Sequence, residues 1–119
     1  EHSIPAYGFR ISGPSEADPG KTVSLAYSGD TDLCPNLVYL AQDVELLLAE
    51  ATFVSHPALP TGIHMTGEDA GRLGADAQVA RLVLTHIPGW VDPELVKNEA
   101  AAEFDGPIDI AQPGQVYRI

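Results

Sequence analysis

Four side chains that can bind a metal cation stand where predicted strands or helices begin or end. Asp30 and His86 each follow an apolar run typical of a buried strand. His2 precedes another predicted strand, and His64 stands just before a predicted helix. Imidazole nitrogens and carboxylate oxygens are ordinary zinc ligands. This placement raises the hypothesis of a metal site formed at strand ends.

The residue types alone leave a structural interpretation open for each position. The sequence SGDT is a common turn, so Asp30 by itself is more often only a turn former. A histidine after a strand, such as His86, more often only forms a structural hydrogen bond. His56 is assigned to a Pro-rich loop without a role, and Trp90 is expected to pack beneath the rim of the site. Spacing alone therefore does not establish metal binding.

The hydrophobic pattern predicts an α/β protein in which strands and helices alternate. Continuous or alternating apolar runs predict strands, and capping residues before apolar periodicity predict helices. The strands are predicted at residues 6–12, 22–28, 44–49, 81–85, 107–111 and 115–119, and the helices at 34–41, 66–77 and 92–104. Such alternation is typical of a layered α/β sandwich.

Composition narrows the classes of partner and compartment. The 119 residues carry a net charge of −11, which disfavours nucleic acid as a partner unless bound cations offset it. No apolar run approaches the roughly 20 residues that a membrane span needs, so a membrane partner is not expected. Cys34 is the single cysteine and cannot form an internal disulfide, which predicts a cytoplasmic location.

Four segments, in order, carry a family resemblance. HSIPAYGFRI, LAYSGDT, LLLAEATF and HMTGEDAGRLGADAQVARLVLTHIP together resemble the C-terminal half of a metallo-β-lactamase-fold hydrolase. That resemblance implies an αββα sandwich with flanking helices and a site for two zinc ions, with manganese and other divalent metals as alternatives.

The same resemblance assigns roles to individual residues. It implies that His2 is a ligand of one metal, that Asp30 bridges both metals, and that His86 binds the second. His64 resembles a catalytic histidine that assists the phosphate or protonates the leaving oxygen. Glu50 resembles the acid that orients His64.

Among the branches of this family, the sequence most resembles the ribonuclease Z-like phosphodiesterases. Within that branch it is similar to the actinobacterial cyclic-nucleotide phosphodiesterases. In tRNA-processing members, the segment between the counterparts of His2 and Asp30 carries a long arm that grips tRNA. Here that segment has only 27 residues, and it is acidic rather than basic. The resemblance therefore implies a small phosphodiester substrate, such as a cyclic nucleotide, with tRNA 3′-end processing as the alternative.

The family motif HxHxDH is missing from these 119 residues. We therefore expect residues 1–119 to form a single partial domain, completed by an N-terminal half of the same fold that carries this motif. A third alternative is that the piece, as isolated, is a metal-free and inactive half-domain. Its uncovered faces would then favour a homodimer.

Overall fold

In the part of the chain that the structure describes, five strands form one mixed sheet whose spatial order is the same as their order in the sequence. The computed structural model describes residues 6–60 and 62–119. The strands are β1 (Phe9–Pro14), β2 (Thr22–Tyr27), β3 (Leu46–Glu50), β4 (Leu82–Thr85) and β5 (Ile108–Ile110), and the helices are α1 (Pro35–Ala41), α2 (Gly67–Asp76) and α3 (Pro93–Ala101). The α/β prediction is confirmed.

The sheet combines one hairpin with three parallel crossovers. Strands β1 and β2 are antiparallel, with Phe9 opposite Tyr27 and Pro14 opposite Thr22. Strands β2 to β5 run parallel, and one helix connects each successive pair. Parallel neighbours require such crossovers because a short turn cannot return the chain to the same end of the sheet. The carboxyl ends of β2, β3 and β4 consequently meet at one edge.

The three helices pack on one face of the sheet and form the main hydrophobic core. Residues from β2, β3 and β4 that point to this face, such as Ala26, Leu47 and Leu84, lie in one cluster with Leu73 of α2 and Val96 of α3. Arg10 of β1 donates to the carbonyl oxygens at the end of α1, Leu40 O and Gln42 O. These contacts hold the three helices against one face of the sheet.

The opposite face of the sheet is apolar and partly open. Phe9 and Ile11 of β1 are 57% and 62% exposed, and their cross-strand neighbours Tyr27 and Leu25 are half-buried. Alternation along each strand requires these residues to lie on the face away from the helices. An exposed apolar surface of this kind is typical of an interface.

The prediction of a final strand at residues 115–119 is wrong. A turn at Gly114, whose φ is 82°, reverses the chain just before it. The end of the segment contacts the loop of the β1–β2 hairpin instead, where Ile119 O accepts from Glu16 N and from Ser15 Oγ. Arg118 also pairs with Glu16. These isolated contacts do not make the regular ladder that defines a strand.

Strand β1 is shifted from its predicted position. The strand begins at Phe9 and extends to Pro14, because pairing with β2 fixes its limits. Proline is tolerated there since β1 is an edge strand.

Within residues 6–60 and 62–119, every helix is too short or too polar to span a membrane.

Candidate metal centre and catalytic site

The structure brings Asp30, Glu50, His64 and His86 together at the carboxyl edge of the sheet. Asp30 lies three residues beyond β2, Glu50 is the last residue of β3, and His86 directly follows β4. His64 approaches from the segment that precedes α2. Side chains leave an α/β sheet at this edge, so ligand sites commonly form there. His2 lies outside the described residues.

Asp30 and His86 present a carboxylate and an imidazole to the same space. Asp30 Oδ2 lies 3.6 Å from His86 Nε2, and the two side chains are 43% and 46% exposed. Both atoms are therefore accessible to a cation that arrives from solvent. An oxygen and an imidazole nitrogen in this arrangement suit zinc and other divalent metals.

Backbone torsion angles are unusual at His86 and at Gly29, the residue before Asp30. His86 has a φ of 58°, in the left-handed region that costs a non-glycine residue about 1–3 kcal/mol. Gly29 has a φ of 64°, and a Cβ there would lie 2.4 Å from Tyr7 O. Glycine is thus required immediately before Asp30. Such strain is found at functional sites, where the surrounding structure holds the residue in place.

Glu50 is the hydrogen-bonding centre of the site. Its side chain is fully buried, at 0% exposure. Glu50 Oε1 accepts from Thr31 N at 2.6 Å and contacts His64 Nδ1 at 2.7 Å. Glu50 Oε2 accepts from Thr52 N at 3.3 Å and from Thr52 Oγ1 at 2.7 Å. These donors satisfy the buried carboxylate without a metal.

His64 is held from three sides. Its Nδ1 contacts Glu50, its ring stacks on His86 with centroids 5.4 Å apart, and the ring of Phe53 meets it edge-on at 5.5 Å. The adjoining chain is fixed by the bridge between Phe53 and Thr66. Thr66 also begins α2 through a capping box with Asp69, as its sequence position predicts.

One group of possible metal ligands consists of Glu50, His64 and His86, whose candidate atoms lie within 4.8 Å of one another. Glu50 is better explained as a hydrogen-bonding partner of Thr31, Thr52 and His64, because four of their groups already contact its oxygens. Asp30 stays the predicted carboxylate ligand, since its side chain is 43% exposed and its Oδ2 lies 3.6 Å from His86 Nε2. The structure places Asp30, Glu50 and His86 side by side, and the roles assigned to them from the sequence stay predictions.

Sequence reasoning missed Thr52 and Thr31 and misjudged Trp90. In the sequence EAT, strand alternation places Glu50 and Thr52 on the same side, which was the available signal for Thr52. Nothing in the sequence indicates that the backbone N–H of Thr31 bonds to Glu50.

Trp90 is 89% exposed, so the prediction that it packs beneath the rim is wrong. His56 lies on an exposed loop, where its Nδ1 accepts from Ala58 N.

Burial and nearby charge affect a tyrosine beside the site. The pKa of Tyr27 is raised first by burial and then by the negative charges of Asp30 and Glu50. The phenol at the end of β2 therefore stays neutral over a wider pH range than a free tyrosine. The negative charges of Asp30 and Glu50, which add to the effect of burial on this pKa, would also attract a cation.

The chain belongs to the β-lactamase superfamily. The family model described as "Beta-lactamase superfamily domain" matches residues 1–87. The crystal structure of the metallo-beta-lactamase fold protein YhfI from Bacillus subtilis has a TM-score of 0.76 and 22% identity, covering 100% of this chain and 52% of that one. The resemblance of the sequence to this superfamily is confirmed.

Two relatives are more similar in sequence. The uncharacterized protein Rv1339 of Mycobacterium tuberculosis is 47% identical over 118 residues, which cover 99% of this chain and 41% of that protein. A protein named Ribonuclease Z from Myxococcus xanthus is 39% identical over 101 residues, 81% of this chain and 32% of that protein. The chain thus spans less than half the length of these curated relatives.

Proposed function

We propose that the intact protein is a dinuclear zinc-dependent phosphodiesterase that hydrolyses a small phosphodiester such as a cyclic nucleotide. The observation that carries this proposal is the convergence of Asp30, His64 and His86 around the buried Glu50. It combines exposed metal-ligand atoms with a separately anchored histidine. A metal-dependent hydrolase needs both kinds of group.

The described donor set fits a divalent metal. Asp30 and His86 would hold ions through Oδ2 and Nε2, and His2 would add a ligand to one of them. When bound, zinc would supply Lewis acidity, which makes hydroxide available near neutral pH and neutralises phosphate oxygens. Manganese is an alternative, because it accepts the same oxygen and nitrogen donors.

His64 would act as the general acid. Its Nδ1 contact with Glu50 directs Nε2 away from that carboxylate. A protonated His64 could then donate its Nε2 proton to the departing oxygen of the phosphodiester. Stacking on His86 and edge contact with Phe53 limit rotation of the ring. General acid catalysis of this type contributes roughly 10²–10⁴-fold to the rate.

Two features favour a small substrate. The segment between β1 and β2 is a short hairpin connection, residues 15–21, and does not extend as an arm. The net charge of −11 also opposes binding of a long polyanion. A small phosphodiester needs only the charge that the metals provide at the site.

Endonucleolytic processing of tRNA 3′ ends is the second candidate. The 39% identity to a protein named Ribonuclease Z favours it. Both candidates use the same attack on a phosphodiester and differ in substrate size. They are therefore separated by substrate, and not by the residues of the metal centre.

We further propose that an N-terminal half of the same fold completes the site. The apolar face with Phe9 and Ile11 exposed would pack on the second sheet of that half. In an isolated piece the same face would favour a homodimer, and such a piece would be metal-free and inactive. Zinc content distinguishes this third candidate from the two enzymes.

The test compares metal content and two substrates in the intact protein. Mass spectrometry should find two zinc ions, and cyclic AMP should be hydrolysed faster than a precursor tRNA is cleaved. His64→Ala should keep its zinc and lose roughly 10²–10⁴-fold in turnover. His56→Ala, at an exposed loop position, is the matched control and should retain activity.

Three results would contradict parts of the proposal. Faster cleavage of precursor tRNA would favour the endonuclease. Intact protein without zinc, manganese or another divalent metal would contradict both enzyme assignments. Loss of zinc from His64→Ala would show that His64 is a metal ligand instead of a general acid.

A further inference from the structure

A continuous path of hydrogen bonds connects Glu50 to His86 through the hydroxyl group of Thr52. Thr52 Oγ1 lies 2.7 Å from Glu50 Oε2 and 2.8 Å from His86 Nδ1. Glu50 also contacts His64 Nδ1 at 2.7 Å. One buried carboxylate is thus linked to both rings, directly to His64 and through one hydroxyl to His86.

The direction of these hydrogen bonds follows from the number of protons available. An ionised carboxylate can only accept, and Glu50 already accepts from the backbone N–H groups of Thr31 and Thr52. The single hydroxyl proton of Thr52 therefore points to Glu50 Oε2. The alternative acceptors, His86 O at 3.3 Å and an unprotonated His86 Nδ1 at 2.8 Å, are both farther away and uncharged. The shorter bond to a charged oxygen is the strongest of the three.

Once its proton points to Glu50, Thr52 Oγ1 can only accept from His86. The hydrogen of the neutral imidazole must then be on Nδ1, because that atom contacts Oγ1. Nε2 is left with its lone pair, 3.6 Å from Asp30 Oδ2. This is the nitrogen and the protonation state that a metal requires.

We propose that Thr52 is a positioning residue that fixes the tautomer of His86 for metal binding, with Glu50 as the acceptor that orients Thr52. The inference rests on the proposed metal site and adds to it a residue with no direct contact to the metal. The left-handed backbone at His86 and the stacked His64 ring support it, because both restrict alternative positions of the ring. Partners of this kind set ring orientation in metal sites generally.

The arrangement predicts an asymmetric response of the two histidines. Removing the Thr52 hydroxyl should release His86 only, because His64 contacts Glu50 directly. Removing the carboxylate should release both rings. A residue that merely fills space would not produce this difference.

The experiment records long-range ¹H–¹⁵N spectra of the histidine side chains in the metal-free intact protein at about pH 8, above the ordinary histidine range. Wild type and Thr52→Ser should show the hydrogen of His86 on Nδ1. Thr52→Val, which keeps the β-branched shape, should shift it toward Nε2 while leaving His64 unchanged. Thr22→Val, at an exposed position of β2, controls for the same substitution elsewhere.

Zinc titration of the same proteins provides a second readout. Thr52→Val should bind zinc about 10- to 100-fold more weakly, and Thr52→Ser should restore binding. Wild-type tautomer and affinity in Thr52→Val would overturn the inference, as would a hydrogen on Nε2 of His86 in the wild type. If Thr52→Val does not fold, the wild-type spectrum alone still tests the inference, because it shows which nitrogen of His86 carries the hydrogen.

The two proposals fail in different ways. A wild-type protein that shows the Nδ1 hydrogen but binds no zinc would contradict the proposed function and leave the hydrogen-bond assignment in place. A zinc-binding wild type with the opposite tautomer would contradict the role of Thr52 alone.

Discussion

At the scale of single residues, Glu50 shows how one buried charge can organise a site. A carboxylate without water is stable only if its oxygens accept hydrogen bonds. Thr31, Thr52 and His64 provide these, and each comes from a different stretch of the chain. The requirement to satisfy one charge thereby brings three segments into fixed positions.

Replacing Glu50 with glutamine should destabilise the protein by about 1–3 kcal/mol, because the amide places a donor against donors. The free energy of unfolding, measured by urea titration, tests this. Glu94→Gln is the control at an exposed helix start, where a few tenths of a kcal/mol are expected. Equal losses in the two variants would show that Glu50 is not the centre of the network.

Sequence patterns identified the metal-capable residues better than their partners. Asp30 and His86 stand out because a carboxylate and an imidazole, both ordinary metal ligands, follow two apolar strands. Thr52 and Thr31 do not, since threonine is ordinary in strands and turns. Their importance depends on atoms more than 15 residues away in sequence, and a local pattern does not contain such distances.

At the scale of elements, glycines in α2 determine how closely α3 can approach. From propensity alone, Gly71 and Gly74 each weaken a helix by roughly 1 kcal/mol. The structure gives the reason for Gly71: a Cβ there would lie 2.4 Å from Ala100 O of α3. The helices touch backbone to backbone at this point.

Gly71→Ala should therefore destabilise the protein by about 1–3 kcal/mol, even though alanine is the better helix former. The urea midpoint and slope measure the effect. Gly74→Ala in the same helix should cost less, because a Cβ there would lie 3.2 Å from the side chain of Phe104, a longer distance than the 2.4 Å to backbone at Gly71. A stabilised Gly71→Ala protein would show that the two helices are not in tight contact.

The elements themselves were largely predictable, and the error at the chain end has a clear cause. Apolar runs and capping residues identified β2, β3, β4 and all three helices to within a few residues. Residues 115–119 have a strand-like composition but follow a turn that directs them to the β1–β2 loop. The conformation of residues 115–119 depends on tertiary contacts, and amino-acid composition does not reveal those contacts.

At the scale of the whole molecule, charge connects stability to pH. The pKa of Tyr27 is raised by burial and then by Asp30 and Glu50, and that of Tyr117 by burial and then by Asp109. A folded-state pKa above the unfolded value gives stability that is present below about pH 10 and lost as pH rises through the folded pKa. Each ionised tyrosine also adds to a net charge that is already −11.

The unfolding free energy of the metal-free protein should consequently fall above about pH 10. Tyr27→Phe should make that fall shallower, because phenylalanine cannot ionise. Tyr39→Phe, at a position 77% exposed, is the control and should follow the wild type. Identical alkaline profiles for wild type and Tyr27→Phe would contradict the effect of burial at Tyr27.

The agreement between strand order and sequence order has a consequence for synthesis. A protein leaves the ribosome from its N-terminal end, and segments that have emerged can begin to fold. Here each new strand joins the free edge left by the strand before it, from β1 to β5. None of these five described strands has to be inserted between two that are already paired. The sheet can therefore grow in one direction, at the pace of translation.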